Sequence, residues 1–139
     1  MATIATKVFI RELEKPPEKD MERDMEWICE CFGFYEKIDR EKTAAAIFKE
    51  LIECCGNGTG LSSTDLGQKS KVTRAAALNH LKKMIRSGLV VKDGGEYKLR
   101  CSSLYATVKE MQRDIDRIFE DVEEIAREID ERMGAKHRR

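Results

Sequence analysis

Histidine, aromatic residues and long apolar runs are all scarce in this chain, and each shortage removes a class of function. The 139 residues hold two histidines, His80 and His137, and aromatics make up only 6%. Neither histidine stands as a base beside a serine or cysteine nucleophile, so covalent catalysis lacks its parts and no enzyme activity is expected. The stretch Gly56-Asn57-Gly58-Thr59-Gly60 follows a helical pattern with no Walker lysine after it, so it reads as a loop and not as a phosphate cradle. No cofactor is expected. No apolar run approaches the ~20 residues that span a bilayer, and the first residues lack the apolar centre of a signal peptide. A cytoplasmic location without membrane partners follows. Five cysteines, an odd number in an ordinary intracellular composition, point to reduced thiols.

What the chain does have is charge. Charged residues make up 37% of it, yet the net charge is zero. Such a composition suits a helix-rich protein with long polar faces, and the length suits one domain with an appendage.

The stretch Leu61 to Arg100 reads as two short helices joined by a turn, then two strands closed by a Gly-Gly turn. Ser62 can cap the first helix, with Asp65 three residues on. Gly67 is expected to interrupt that helix, with Gln68-Lys69-Ser70-Lys71 as a polar turn. Thr73 can cap the second, where Ala77, Leu78, Leu81, Met84 and Ile85 follow helical spacing and Gly88 supplies the stop. Leu89-Val90-Val91 reads as a strand, Asp93-Gly94-Gly95 as a tight turn and Tyr97-Lys98-Leu99 as the return strand. Nine basic residues, Lys69, Lys71, Arg74, Lys82, Lys83, Arg86, Lys92, Lys98 and Arg100, stand here against Asp65, Asp93 and Glu96, leaving this stretch at +6. Cations at that density suit a phosphate backbone; solvated helix faces carry lysines too.

A second helix ending in HLKKMIRSGLV, followed by a hairpin ending in YKL, resembles the winged helix-turn-helix of ArsR- and MarR-type regulators of bacteria and archaea over residues 40 to 100. The resemblance implies a mainly α fold with a small β-hairpin wing. It also implies double-stranded DNA as partner, with the helix over 74–87 offered to the major groove and the wing over 89–100 set on the backbone. On that footing Lys69, Lys71, Thr73, Arg74, Ala75, Asn79, Lys82, Lys83, Lys92 and Lys98 form the candidate DNA-binding set. Arg pairs bidentately with guanine and Asn with adenine, while the Ala75 and Ala76 methyls suit thymine. His80 is expected at the phosphate or the core edge and not at a base.

Before this unit, residues 1–38 read as an arm and a short helix. Ile4, Val8, Phe9, Ile10 and Leu13 suggest a short strand within Ala2–Leu13. Pro16-Pro17 breaks the chain, with Pro17 at the first turn of a helix from about Glu18 to Phe32. Met21, Met25, Ile28, Cys29 and Phe32 form its apolar stripe, Trp27 sits at the stripe's edge, and Gly33 stops it. Asp39 can cap the next helix, which opens the DNA-binding domain over 39–101 and carries Ala44, Ile47, Phe48, Leu51, Ile52 and Cys55 at helical spacing.

After the wing, Ser102 or Ser103 can cap a helix over 102–133 with neither Gly nor Pro before its end. Leu104, Val108, Met111, Ile115, Ile118, Val122, Ile125 and Ile129 alternate steps of four and three, an unbroken heptad seam with Val108, Ile115, Val122 and Ile129 at a. A stripe that narrow needs a partner in water, so a homodimer is expected. Tyr105 and Phe119 widen the stripe, and the helix at 18–32 is the expected further member of a small bundle; a two-stranded zipper is the alternative. Five basic residues against ten acids give residues 103–133 a charge of −5, which keeps this helix away from DNA. Residues 134–139 form a basic tail, expected to be disordered.

Metal sensing would require Cys29 or Cys31 to meet Cys54 or Cys55 across two packed helices, because a C-x-C pair within a helix points its thiols ~200° apart. Buried small hydrophobes are the preferred account of these thiols, and no metal is expected. The sequence therefore predicts a dimeric winged-helix transcriptional regulator with heads ~34 Å apart on DNA. Its alternative is a winged-helix scaffold that binds protein and not DNA.

Overall fold

In the computed structural model, which describes residues 10–34 and 42–134, the elements run α1 (Met21–Cys31), α2 (Thr43–Cys55), α3 (Ser63–Ser70), α4 (Arg74–Ser87), β1 (Val90–Asp93), β2 (Glu96–Leu99) and α5 (Leu104–Met133). The fold is mainly α, with one small hairpin and a C-terminal helix of 30 residues. Helices, then a hairpin, then a long helix is a winged-helix-like topology.

Most helix ends are set by local chemistry. Ser62 Oγ accepts from Asp65 N at 3.1 Å, Thr73 Oγ1 from Ala76 N at 3.1 Å, and Ser103 Oγ from Ala106 N at 3.0 Å, each satisfying an orphan donor of the first turn. At the far end of α4, Gly88 takes φ 87°, so its N–H reaches Ile85 O at 3.0 Å while Leu89 N reaches Met84 O at 3.1 Å. That double bond pattern is a Schellman stop, and it turns Leu89 straight into the core. Gly33 ends α1 in the same way.

The core is built around α2. Ala44, Ile47, Phe48 and Leu51 are fully buried at helical spacing. Leu66 of α3, Ala77, Leu81 and Met84 of α4, Leu89, Val90 and Leu99 of the hairpin region, and Met111 of α5 close over them. Each large side chain buried here contributes about 1.5–3 kcal/mol. The hairpin pairs Val90 with Leu99 through Asp93 with Glu96, leaving Gly94 and Gly95 as a two-residue loop. Both have positive φ (58° and 86°), as a type I′ turn demands. Leu61 adds an antiparallel bridge to Tyr97 that the sequence reading does not foresee, with N–H to O distances of 2.9 and 2.7 Å in the two directions.

Several expectations are corrected. Gly67 does not interrupt α3, which runs on to Ser70. A Cβ at Gly67 would stand 3.0 Å from Val72 O, so this glycine serves the close approach of α3 to the start of α4. The turn is made instead by Lys71, in the left-handed region at φ 59°. Helix α1 starts later than Glu18: Asp20 caps it by accepting from Glu22 N at 3.1 Å, and Pro17 lies before the helix. Helix α2 starts at Thr43 after Lys42, with no side-chain cap. Residues 10–13 are not in a strand, although Arg11 N donates to Cys31 O at 2.8 Å. The rest of the expected strand, the Asp39 cap and the tail from residue 135 lie outside the described residues. Helix α1 packs against α2 and does not run along α5, so it is no bundle partner for the long helix within one chain. Trp27 is half-buried at the edge of α1, its indole N–H donating to Glu14 O at 2.9 Å.

Candidate nucleic-acid interface

Helix α4 has two faces of opposite chemistry. At ~100° per residue, Ala77, Leu81 and Met84 share the side that enters the core. Ala75, Asn79, Lys82 and Arg86 fall on the opposite side and are exposed; Lys83, next to them, is half-exposed. Arg86 is outside the set expected from sequence, yet its i+4 spacing from Lys82 puts it on this face. Arg74 is exposed but at ~100° per residue falls on the side of the helix nearer the core, where its Nε donates to Ser63 Oγ of α3 at 3.1 Å. Thr73 spends its hydroxyl on the cap. His80 is half-buried with Nδ1 3.2 Å from Phe34 O, which puts it at the core edge.

The elements on either side of α4 add cations. Lys69 and Lys71 are exposed on α3 and the tight turn after it, and α3 packs directly on α4. In the hairpin, Lys92 is exposed with its Nζ 5.6 Å from the Tyr97 ring centre, a cation–π distance. Lys98 is half-exposed and pairs with Asp93 at 3.4 Å, which reduces what it offers to another anion.

Arg100 leaves the cationic group altogether. Its Nη1 and Nη2 fork onto the two carboxylate oxygens of Asp114 in α5 at 2.5 and 3.2 Å, and Glu110 stands 3.9 Å away. Arg117 also pairs with Asp114. The hydrogen bond from Arg100 holds the Asp114 carboxyl below the usual aspartate range against the opposing effect of burial, and Arg117 adds to it. The same bond raises the Arg100 pKa further. This fork joins the end of the hairpin to the long helix. Behind it, Thr107 is fully buried and its Oγ1 accepts from Cys101 N at 3.1 Å.

The heptad seam divides into two halves. Met111 is 1% exposed and belongs to the chain's own core, with Leu104 packed beside it. Val108 and Ile115 are half-buried. Ile118, Val122, Ile125 and Ile129 are each more than half exposed, as are Phe119 and Met133. Of the eight residues expected from sequence to form a dimer seam, Met111 and Leu104 pack in the chain's own core, and the exposed stripe begins after Ile115.

Four of the five thiols sit on α1 and α2. Cys29 and Cys31 are buried on α1, while half-buried Cys54 and Cys55 donate to Glu50 O and Ile52 O at 3.2 and 2.9 Å. Burial pushes the Cys31 thiol up, helped by Glu30; burial also raises Cys54, with Lys69 opposing. Among the described residues no group of three or more His, Cys, Asp and Glu side chains is placed to hold a metal ion. Likewise, no described helix is long and apolar enough to cross a membrane. Set against known protein families, curated proteins and solved structures, the chain gives no significant match to any of them.

Proposed function

We propose that this chain is a DNA-binding transcriptional regulator that acts as a homodimer in the cytoplasm, without enzymatic activity. The observation that carries the reading is the two-faced α4: one side is core, and the other presents Lys82, Arg86, Asn79 and Ala75 to solvent between cations of α3 and the hairpin. Such a helix meets a groove with its exposed side while flanking lysines neutralise phosphates. Arg74 and Asn79 are the proposed readers of base edges, and Lys69, Lys71, Lys82 and Lys92 the proposed phosphate contacts. The acidic α5 is joined to the head through the fork of Arg100 on Asp114.

Gel retardation on random and genome-selected duplexes across a salt series tests this. Affinity should fall steeply with salt, and Lys82→Ala should weaken all duplexes while reducing the salt slope by about 1. Arg74→Ala should weaken the selected duplex more than the random one; equal losses would remove its reading role. The second reading, a winged-helix scaffold, draws on the exposed apolar half of α5. It requires flat, weak DNA retardation across the same series.

A further inference from the structure

The seam of α5 has one direction and two fates. At ~100° per residue, the buried Thr107 and Met111 and the packed Leu104 lie on nearly the same side of the helix as Ile118, Val122, Ile125 and Ile129. Along the first half that side is covered by the chain's own head. Along the second half it faces solvent. Resting on the homodimer reading above, we infer that the exposed half of α5 pairs antiparallel with the same half of a second copy, with its centre between Glu123 and Glu124.

Volume decides the direction. In a parallel, in-register pair both heads would lie on the inner side of their own helices. Paired helix axes are only 8–10 Å apart, roughly one helix diameter. Two folded heads cannot share that gap. In an antiparallel pair the two heads stay at opposite ends, and the end of each helix comes alongside the other copy's head only at the groove that Ile118 and Asp121 share with Ile85, Val91 and Lys92.

The register follows from covering all four exposed seam positions at once. Ile118 of one copy faces Ile129 of the other, and Val122 faces Ile125, each an a position against a d position. In that register Arg132 and Met133 of the second copy come level with Ile115 and Asp114, where the first copy's head closes over the stripe. Helix α5 ends at Met133, with Gly134 at φ 72° as its stop. A longer helix would run into the head, and a shorter one would leave Ile118 uncovered.

Charge is consistent with this arrangement. Arg132, on the seam side of the last turn, comes within one residue of the level of Asp114 of the other copy, which already pairs with Arg100 and Arg117 of its own chain, whereas a parallel pair would set Arg132 against its own twin. The antiparallel pair does bring Asp121 near Glu128 on the exposed rim. Asp121 lines a groove of about 930 Å³ together with Lys92, so one cation stands beside that rim, while Arg100 and Arg117 of the same groove pair with Asp114. Exposed repulsion of this kind is also screened by salt.

The test uses the full chain carrying either Ile118→Cys or Ile129→Cys, alone or mixed, with mild oxidation by oxidised glutathione. Peptide mapping by mass spectrometry separates engineered crosslinks from any made by the native thiols. The mixture should yield the 118–129 crosslink, and neither variant alone should yield its symmetric one. A symmetric 118–118 or 129–129 product overturns the direction. A wild-type dimer in light scattering with no engineered crosslink overturns the register, and a monomer at all concentrations overturns the pairing. DNA retardation, measured separately, reports on the proposed function whichever of these is found.

Discussion

Lys71 occupies a position that favours glycine. Its left-handed backbone ends α3 as a Schellman stop, with Val72 N bonded to Gly67 O at 2.8 Å and Lys71 N to Gln68 O at 3.2 Å. A non-glycine residue in that region costs roughly 1–2 kcal/mol. Lys71→Gly should therefore raise stability by up to about 1 kcal/mol while weakening DNA retardation by removing an exposed cation. Chemical denaturation and gel retardation on one preparation read both effects. A variant that gains stability with unchanged retardation would take Lys71 out of the interface.

Asp114 makes a second residue-scale prediction, with a definite sign. Its pKa is lowered in the folded chain, so the fork contributes stability above the ordinary aspartate pKa near ~3.9 and loses it as pH falls through the lower folded value. Arg100 stays charged throughout. Asp114→Asn should be less stable than the parent at neutral pH, and the gap should close as acid protonates the parent. Urea midpoints measured against pH check this; a gap that persists at the acid end contradicts it.

At the scale of elements, α5 is the place where core and surface share one stripe. Ile125 is more than half exposed and outside the chain's own core, so Ile125→Asp should abolish self-association in light scattering without lowering the head's denaturation midpoint. Leu81→Ala makes the contrast, since it empties a core position and should cost about 2–5 kcal/mol. Circular dichroism melts together with light scattering separate the two.

How far these elements were legible depended on where their causes lay. The caps at Ser62, Thr73 and Ser103, the Gly88 stop and the Gly94-Gly95 loop arise from chemistry within a few residues, and they could be read directly. Gly67 could not, because a glycine in a helical pattern reads as a break when its reason is a backbone approach from the next helix. Leu61 was equally hidden, since one residue pairing across 36 positions leaves no periodic mark. The heptad spacing was plain, but nothing in it says that Met111 is covered by its own chain and Ile118 is not. Of the candidate interface, the basic positions on α4 were visible from spacing. The loss of Arg100 to Asp114 was not, because charge counts carry no geometry.

For the whole molecule, the segregation of charge predicts opposite salt responses for the proposed DNA binding and the proposed self-association. Binding of the cationic head to a polyanion releases counterions and weakens as salt rises. Association of the acidic stalks is opposed by like charge, which salt screens, so it should strengthen under the same change. Measuring retardation and molecular mass across one salt series should show the curves running in opposite directions. Parallel decline in both would mean that the stalks are held by ion pairs and not by their apolar stripe.

The early end of the core at Met111 separates maturation from assembly. The core as far as Met111 is built from residues of one chain, so the head's denaturation midpoint should not change with chain concentration. The last four turns of α5 lack such cover, and on the proposed pairing a second copy supplies it. On that proposal, abundance in the cell would set through mass action how many heads work in tandem.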